Sequence, residues 1–234
     1  MAINKPPGLA VQGGTRVRKH VDEMLGVLQF DKKERPRLIH RLDKDTSGIL
    51  LLARTSKAAS KLSKAFKTKD VHKIYWAAVV GVPESKFGRI DTAIEKRAGK
   101  RGEKVATHKN GKRSITYYRT IDNASNKVTW LAMMPATGRT HQLRVHSLEL
   151  GTPILGDGKY GGSKAFIDGA QGVAKQLHLH AKAIKFPHPD GGFFQVVCDL
   201  PSHMSKTWDY LGFNAKMVFD PFEDFYEKWY RDYG

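Results

Sequence analysis

Two hydrophobic periods alternate along the chain. Residues 48–53 (GILLLA) form a short apolar run ending at Arg54, which predicts a buried strand. Residues 73–80 (KIYWAAVV) read as a second strand. Two more fall near 114–120 and 127–134, with NASN (123–126) as the turn between them. LHLHAKAIKF (177–186) and FFQVVCDL (193–200) form a further pair joined by PHPDGG. The other period is helical. Val17, Val21, Met24, Leu25 and Leu28 fall on one face of 15–29. Ala58, Leu62, Ala65 and Phe66 stripe 56–70, for which Ser56 is the expected N-cap. RTHQLRVHSLEL predicts a helix over 139–150, ended by Gly151. In the tail, 217–234, Phe219, Phe222, Tyr226, Trp229 and Tyr233 recur at steps of three and four, an amphipathic helix with an aromatic stripe. Strand pairs with helices set apart predict an α+β fold with a largely antiparallel sheet.

Other segments lack a period. The opening NKPPGL is a Pro-Gly turn without the apolar strand that would lead into it, so the chain is expected to begin inside a larger protein. Residues 95–113 read as a Gly- and Lys-rich loop, ordered when something anionic meets it. PILGDGKYGG is loop.

The 234 residues allow one large domain or two small ones with a sizeable core. No apolar window of about 18 residues occurs, so no membrane span is expected. The first residues lack the sections of a signal peptide. The single cysteine, Cys198, excludes an internal disulfide; a buried structural thiol and a reducing compartment, cytoplasm or organelle matrix, fit it. The net charge of +17 changes the picture most. It makes a polyanion the first expected partner, and nucleic acid above all. Lys57, Lys61, Lys64 and Lys67 line the polar side of the 56–70 helix, either as a solvated face or as a phosphate-contacting one. The tail carries the opposite balance, Asp220, Glu223, Asp224, Glu227 and Asp232 against Lys228 and Arg231. It either docks back on the domain or binds a partner.

Candidate chemistry narrows quickly. His141 and His146 are five apart and point about 140° away from each other on a helix, so they do not make a metal pair. His178 and His180 share a strand face without a third ligand, and one cysteine forms no zinc motif. No metal is expected. No phosphate-binding glycine loop occurs, so no nucleotide cofactor is expected either. That leaves HRLDKDTSGILLLA, residues 40–53. Asp45-Thr46-Ser47-Gly48 is a good turn into the buried strand. Asp43 is less easily explained, because a carboxylate between Leu42 and a buried run must be paired or hydrogen-bonded. Arg41, Lys44, Arg139 and Arg144 are the candidate cations. The stretch is either a well-capped turn or an active site.

HRLDKDTSGILLLA resembles the signature of the RNA pseudouridine synthases of the RluA, RluC and RluD type. NKPPGLAVQGG, KIYWAAVVG, PATGRTHQLRVH, PILGDGKYGG and LHLHA resemble further motifs of that family, in the same order. Together they cover residue 3 to about residue 201. The resemblance implies the pseudouridine synthase fold, a mixed, largely antiparallel sheet with an active-site cleft across it. It implies isomerisation of uridine to pseudouridine within RNA, with no cofactor. Asp43 matches the catalytic aspartate, acting as nucleophile at the sugar or as base at its 2′ position. Arg144 matches the arginine that pairs with it. Tyr75 matches the tyrosine that stacks on the uracil. Arg41 matches the basic residue that fills the gap of the flipped nucleotide, flipping being expected because a stacked nucleotide cannot be attacked.

Residues 1–214 are expected to form the catalytic domain and 215–234 the aromatic helix; the S4-like domain common before the first motif is absent from this chain. AVQGG and the 102–119 stretch look most like the RluC branch, which acts on large-subunit ribosomal RNA. Transfer RNA is the other candidate substrate. Lys61, Lys64, Lys96, Arg97, Lys100, Arg101 and Arg139 are the expected RNA contacts, and a monomer away from membranes is the expected form. A non-catalytic RNA-binding assembly factor is the competing class. A glycosidase pair of Asp43 and Asp45 is a third, disfavoured by the turn context and the charge.

Overall fold

The structure, a computed structural model, describes residues 1–14, 19–97, 104–217, 220–223 and 225. Val17, Lys100, Arg101, Phe219, Tyr226, Trp229 and Tyr233 lie outside the described residues. Along the chain run β1 (Ala2–Lys5), α1 (Val21–Met24), β2 (Arg37–Leu38), β3 (Ser47–Ala53), α2 (Ser56–Thr68), β4 (His72–Val80) and β5 (Phe87–Arg97). Then follow β6 (Lys104–Thr107), β7 (Lys112–Ala124), β8 (Val128–Pro135), α3 (Gln142–Glu149), β9 (Leu179–Pro187), β10 (Phe193–Val197) and α4 (Ser202–Leu211). The strand pairings are mostly antiparallel, as the α+β expectation requires. The chain divides into two compact units, Met1–Lys73 with His180–Pro201, and Ile74–Leu179 with Ser202–Gly234.

In the first unit β3 is buried along its whole length. It pairs antiparallel with β1 (Ile3↔Leu50) and β2 (Leu38↔Leu52), and parallel with β9 (Ser47↔His180, Gly48↔Ala181). β10 pairs antiparallel with β9. Ile49, Leu51 and Ala53 of β3 meet Leu62 and Ala65 of α2 and Ile184 and Phe186 of β9 in one core. The strand β1 corrects the expectation that nothing leads into NKPPGL: its backbone pairing with β3 does what its single core-sized side chain, Ile3, cannot signal. Helix α2 follows its predicted stripe, but Thr55 is the N-cap, not Ser56. Thr55 is extended (φ −139°, ψ 155°) and its hydroxyl accepts the Ala58 N–H at 3.1 Å. Ser56 instead donates its hydroxyl to Glu34. Of the helix expected over 15–29, the described residues 19–29 contain Val21–Met24, followed by a 3-10 turn at Leu25–Leu28. Gly26 and β-branched Val27 are poor helix formers, and Val21 and Leu25 alone supply the buried anchors.

Cys198 lies just past β10. Its Sγ is 3.2 Å from His180 Nε2, and His180 Nδ1 is 2.9 Å from the Ser47 hydroxyl. Burial pushes the Cys198 thiol up to about 11. That lowers its thiolate fraction at neutral pH about a hundredfold against a thiol of ordinary pKa. The higher-pKa thiolate is intrinsically more nucleophilic and offsets part of this, so a disulfide reagent is expected to react with Cys198 about tenfold faster in denaturant than in the native protein. Equal rates would contradict the burial.

In the second unit the antiparallel order is β4-β8-β7-β5-β6. The 95–113 segment is not a single loop. Its ends belong to β5 and β7, and Lys104–Thr107 forms β6, paired Ile94↔Thr107 to Arg97↔Lys104. Among the described residues there, Ile94 and Val105 are buried in a cluster with Val145 and Tyr160, too few apolar positions for the period to show in sequence. Trp130 on β8 centres the core, with ring centroids 4.6 Å from Trp76, 5.6 Å from Trp208 and 5.8 Å from Phe213. Helix α3 starts at Gln142, with 139–141 forming the turn before it, and Gly151 (φ 78°) follows it as predicted. Of the tail, Phe222 and Phe225 are buried, the latter beside Phe87.

His178 and His180 do not act from one strand face. His178 precedes β9 and bonds the Thr207 hydroxyl (2.9 Å) and the Gln176 carbonyl (2.8 Å), while His180 belongs to the Ser47–Cys198 chain. Among the described residues no group of three or more His, Cys, Asp or Glu side chains could hold a metal ion. No described helix is long and apolar enough to cross a membrane.

Candidate functional site

Asp43 sits in a loop, residues 41–46, between β2 and β3. The turn falls earlier than the Asp45–Gly48 reading: the Thr46 N–H donates to the Asp43 carbonyl at 3.2 Å, and Ser47 and Gly48 already belong to β3. Gly48 has φ 108°, and a Cβ there would lie 2.4 Å from the Ala181 carbonyl oxygen, so the parallel pairing with β9 needs glycine. Leu42 and Thr46 are buried, Asp43 is half-buried, and Arg41, Lys44 and Asp45 are exposed. The loop is thus anchored by an apolar and a polar side chain, with Arg41, Lys44 and Asp45 exposed.

A residue missed in sequence braces this loop from beneath. Lys5, 1% exposed, donates from Nζ to the carbonyls of Pro6 (2.8 Å), Leu9 (2.8 Å) and Lys44 (3.0 Å). The ammonium's three donors match three acceptors, so one buried cation ties the NKPPGL turn to the Asp43 loop. Burial pulls Lys5 down to about 8, with Asp45 and Asp43 opposing that shift. The visible signal was a lysine directly before Pro-Pro-Gly, which reads as an ordinary turn residue.

In the second unit Tyr75 lies on β4 opposite Met133 of β8 and is 9% exposed. Arg144 is buried in α3, where Gln142 to Ser147 are all buried. Its Nε donates to Asp157 Oδ2 at 2.8 Å and its Nη2 to Oδ1 at 2.6 Å, a bidentate pair with side chains 7% and 1% exposed. Asp157 Oδ1 also accepts the Tyr160 N–H at 3.2 Å, and the guanidinium lies 4.8 Å from the Tyr160 ring centroid. The Tyr160 hydroxyl accepts the Val105 N–H and shares a 2.6 Å bond with His141 Nδ1. The GRTHQLRVH and GDGKY segments are therefore one construction, built around Arg144. Asp157 was missed because a loop aspartate between glycines carries no periodic signal. Gly156 before it is required, since a Cβ there would meet the Gln176 carbonyl oxygen at 1.9 Å.

Two further side chains fix α3. Gln142 donates to the Ile115 carbonyl and the Thr116 hydroxyl (both 2.9 Å) and accepts the Thr137 hydroxyl and the Arg139 N–H. His146 bonds Thr116 (2.9 Å) and Ser114 (2.8 Å), and burial pulls it down to about 4, so it is neutral at pH 7.

Removing Asp157 would leave Arg144 buried without its bidentate partner. Such changes cost about 3–5 kcal/mol. Asp157→Ala is expected to lose that much in a urea titration, and a loss below about 1 kcal/mol would show that Arg144 is held mainly by other groups.

The surface candidates divide differently. Lys61 and Lys64 are exposed on α2, and Lys61 reaches the Pro189 carbonyl at 2.5 Å. Arg97 is paired with Glu95 at 2.7 Å, so it offers less free charge than its position suggested. Lys96 lies on β5 and Arg139 is exposed at the turn before α3. Lys100 and Arg101 lie outside the described residues.

A sequence model of the RNA pseudouridylate synthase family matches residues 1–149. The mitochondrial RNA pseudouridine synthase 4 of Arabidopsis thaliana is 39% identical over 90% of this chain and 58% of its own. The ribosomal large subunit pseudouridine synthase C of Rickettsia conorii is 42% identical over 79% of this chain and 59% of its own. The chain thus spans less than two thirds of the length of these two relatives. Among solved structures, human RNA pseudouridylate synthase domain containing 4 superimposes with a TM-score of 0.76 at 30% identity, over 90% of this chain and 89% of that one. The match begins at Met1, runs through the Lys5 turn, the Asp43 loop and the Tyr75 strand, and ends at Glu149, the last residue of the Arg144 helix; the chain belongs to the RNA pseudouridylate synthase family.

Proposed function

We propose that this chain isomerises uridine to pseudouridine in RNA, with large-subunit ribosomal RNA as the substrate. The observation that carries the reading is the Asp43 loop: a half-buried carboxylate in a turn braced by a buried lysine, within a family match. Relatives named for the large ribosomal subunit supply the choice of RNA.

The chemistry is an isomerisation. The bond from uracil N1 to ribose C1′ breaks and its electron pair stays on N1, a bond from C5 to C1′ forms, the proton on C5 leaves to solvent, and N1 takes up a proton from solvent. Asp43 starts it as a carboxylate, either by attack at C1′ or by removing the 2′ proton. Tyr75, nearly fully buried on β4, is the stacking platform for the uracil. Arg144, its guanidinium fixed by Asp157, is the buried cation of the site. Arg41, exposed two residues before Asp43, suits the role of filling the space left by a flipped nucleotide. None of these steps is a redox reaction.

The test is to incubate the protein with unmodified large-subunit ribosomal RNA and with bulk transfer RNA, then map carbodiimide-dependent reverse-transcription stops. New stops in the ribosomal RNA support the proposal. Stops in transfer RNA alone would replace the substrate, and stops in neither would overturn the activity.

A further inference from the structure

One half-buried group next to the Asp43 loop has no part in the proposed chemistry. His40 closes the segment that leads into the loop, and its imidazole turns back onto β3. The Leu51 N–H donates to His40 Nε2 at 2.8 Å. Leu51 needs that acceptor because of its place in the sheet. Below it, Ser47 and Gly48 pair with β9; above it, Leu52 and Ala53 pair with β2. On the other side of β3 the partner is β1. The imidazole therefore fills a gap between two strand pairings. It is held flat on the Phe66 ring of α2, with centroids 4.8 Å apart and an interplanar angle of 21°. Lys73 Nζ lies 5.8 Å from the centroid of the same Phe66 ring.

We propose that His40 is a positioning residue for Asp43, acting as a neutral hydrogen-bond acceptor that pins the entrance of the 41–46 loop to the middle of β3. The inference rests on the proposed function, because it assigns His40 a part in the reaction of Asp43. Lys5 holds the far side of the same loop at the Lys44 carbonyl, so the three residues Arg41 to Asp43 lie between two attachments, His40 to Leu51 and Lys5 to Lys44. Acceptance requires an unprotonated Nε2. Burial, with Lys73 nearby, pulls His40 down to about 3 against the opposing backbone bond at Arg41, so the acceptor is present throughout the neutral range. The imidazole touches neither sugar nor base in this scheme. Its effect passes through the backbone of the loop, and misplacing a reacting group by about 1 Å can cost on the order of a hundredfold in rate.

The test separates the acceptor from the ring. His40→Phe keeps an aromatic ring for Phe66 and removes the acceptor; His40→Gln loses the ring and keeps an acceptor oxygen at similar reach. Both are compared with the wild type by turnover on RNA, by KM, and by thermal melting, with turnover measured well below each variant's Tm. The expected result is a fall in kcat of roughly a hundredfold for His40→Phe with KM nearly unchanged, and a kcat within a few-fold of wild type for His40→Gln. A folded His40→Phe protein with wild-type kcat would overturn the inference while leaving the proposed function intact. So would a folded His40→Gln protein without rescue, which keeps the test decisive if His40→Phe does not fold. An inactive wild type would bring down the proposed function and this inference with it.

Discussion

Replacing Asp43 by Asn is expected to abolish pseudouridine formation while leaving RNA binding almost unchanged. The two side chains have the same shape, and the loop that carries them is braced by groups the change does not touch. Lys5 holds the Lys44 carbonyl, the Thr46 N–H holds the Asp43 carbonyl, and Gly48 seats the strand against Ala181. An amide is neither a nucleophile toward C1′ nor a base able to remove the 2′ proton. The loss is expected to be at least ~10³-fold in kcat, about 4 kcal/mol of transition-state stabilisation. Binding draws on a net charge of +17 spread over the chain, of which one carboxylate is a small part. The measurement is a single-turnover rate beside a filter-binding titration. A fall in binding as large as the fall in rate would mean that Asp43 shapes the RNA surface and does not carry the chemistry.

The second large effect is acid instability above the carboxylate range. His40 is pulled down to about 3, and His146 and His178 to about 4, in each case first by burial. In the unfolded chain all three return to about 6.5. Above that pH neither state binds the protons, so the three histidines do not affect stability. Below it the unfolded chain takes up protons that the native protein refuses, so stability falls as pH falls. At pH 5 each contributes roughly 2 kcal/mol to the loss, and the three together on the order of 6 kcal/mol. A chain of this size should lose on the order of 10–20 °C in Tm between pH 7.5 and pH 5. Asp31, Asp91 and Glu95 are held low by arginine partners, so their stabilisation persists above the ordinary carboxylate range and is lost only on further acidification. They leave the window between pH 7.5 and 5 to the histidines. His178→Gln, which keeps a polar partner for Thr207, is expected to flatten the slope by about a third. A Tm that does not move down to pH 5 would contradict the burial of these rings.

The parts legible in the sequence were those whose signal is local. GILLLA and the Leu62–Ala65–Phe66 stripe each announce one element and its buried face, and both stand where they were expected. The 95–113 hairpin was hidden because its described strand residues expose Lys96, Arg97 and Lys104, and Ile94 and Val105 are the buried apolar positions among them. Strand β1 was hidden because its place depends on pairing with β3, some forty-five residues away. The same division holds at the site. Asp43 stood out as a charge next to a buried strand. Its brace and the orienting partner of Arg144 did not, because Lys5 and Asp157 acquire meaning only when distant carbonyls and a distant guanidinium come within 3 Å. His40 could be counted among ten histidines, but its role depends on the empty ladder position at Leu51.

The most direct test of the central claim is tritium release from large-subunit ribosomal RNA labelled at uracil C5, with wild type and Asp43→Asn side by side. Forming a bond from C5 to C1′ requires the C5 proton to leave, so each turnover frees one label. Release by the wild type and none above background by the variant is the expected result. Equal release by both proteins would contradict it.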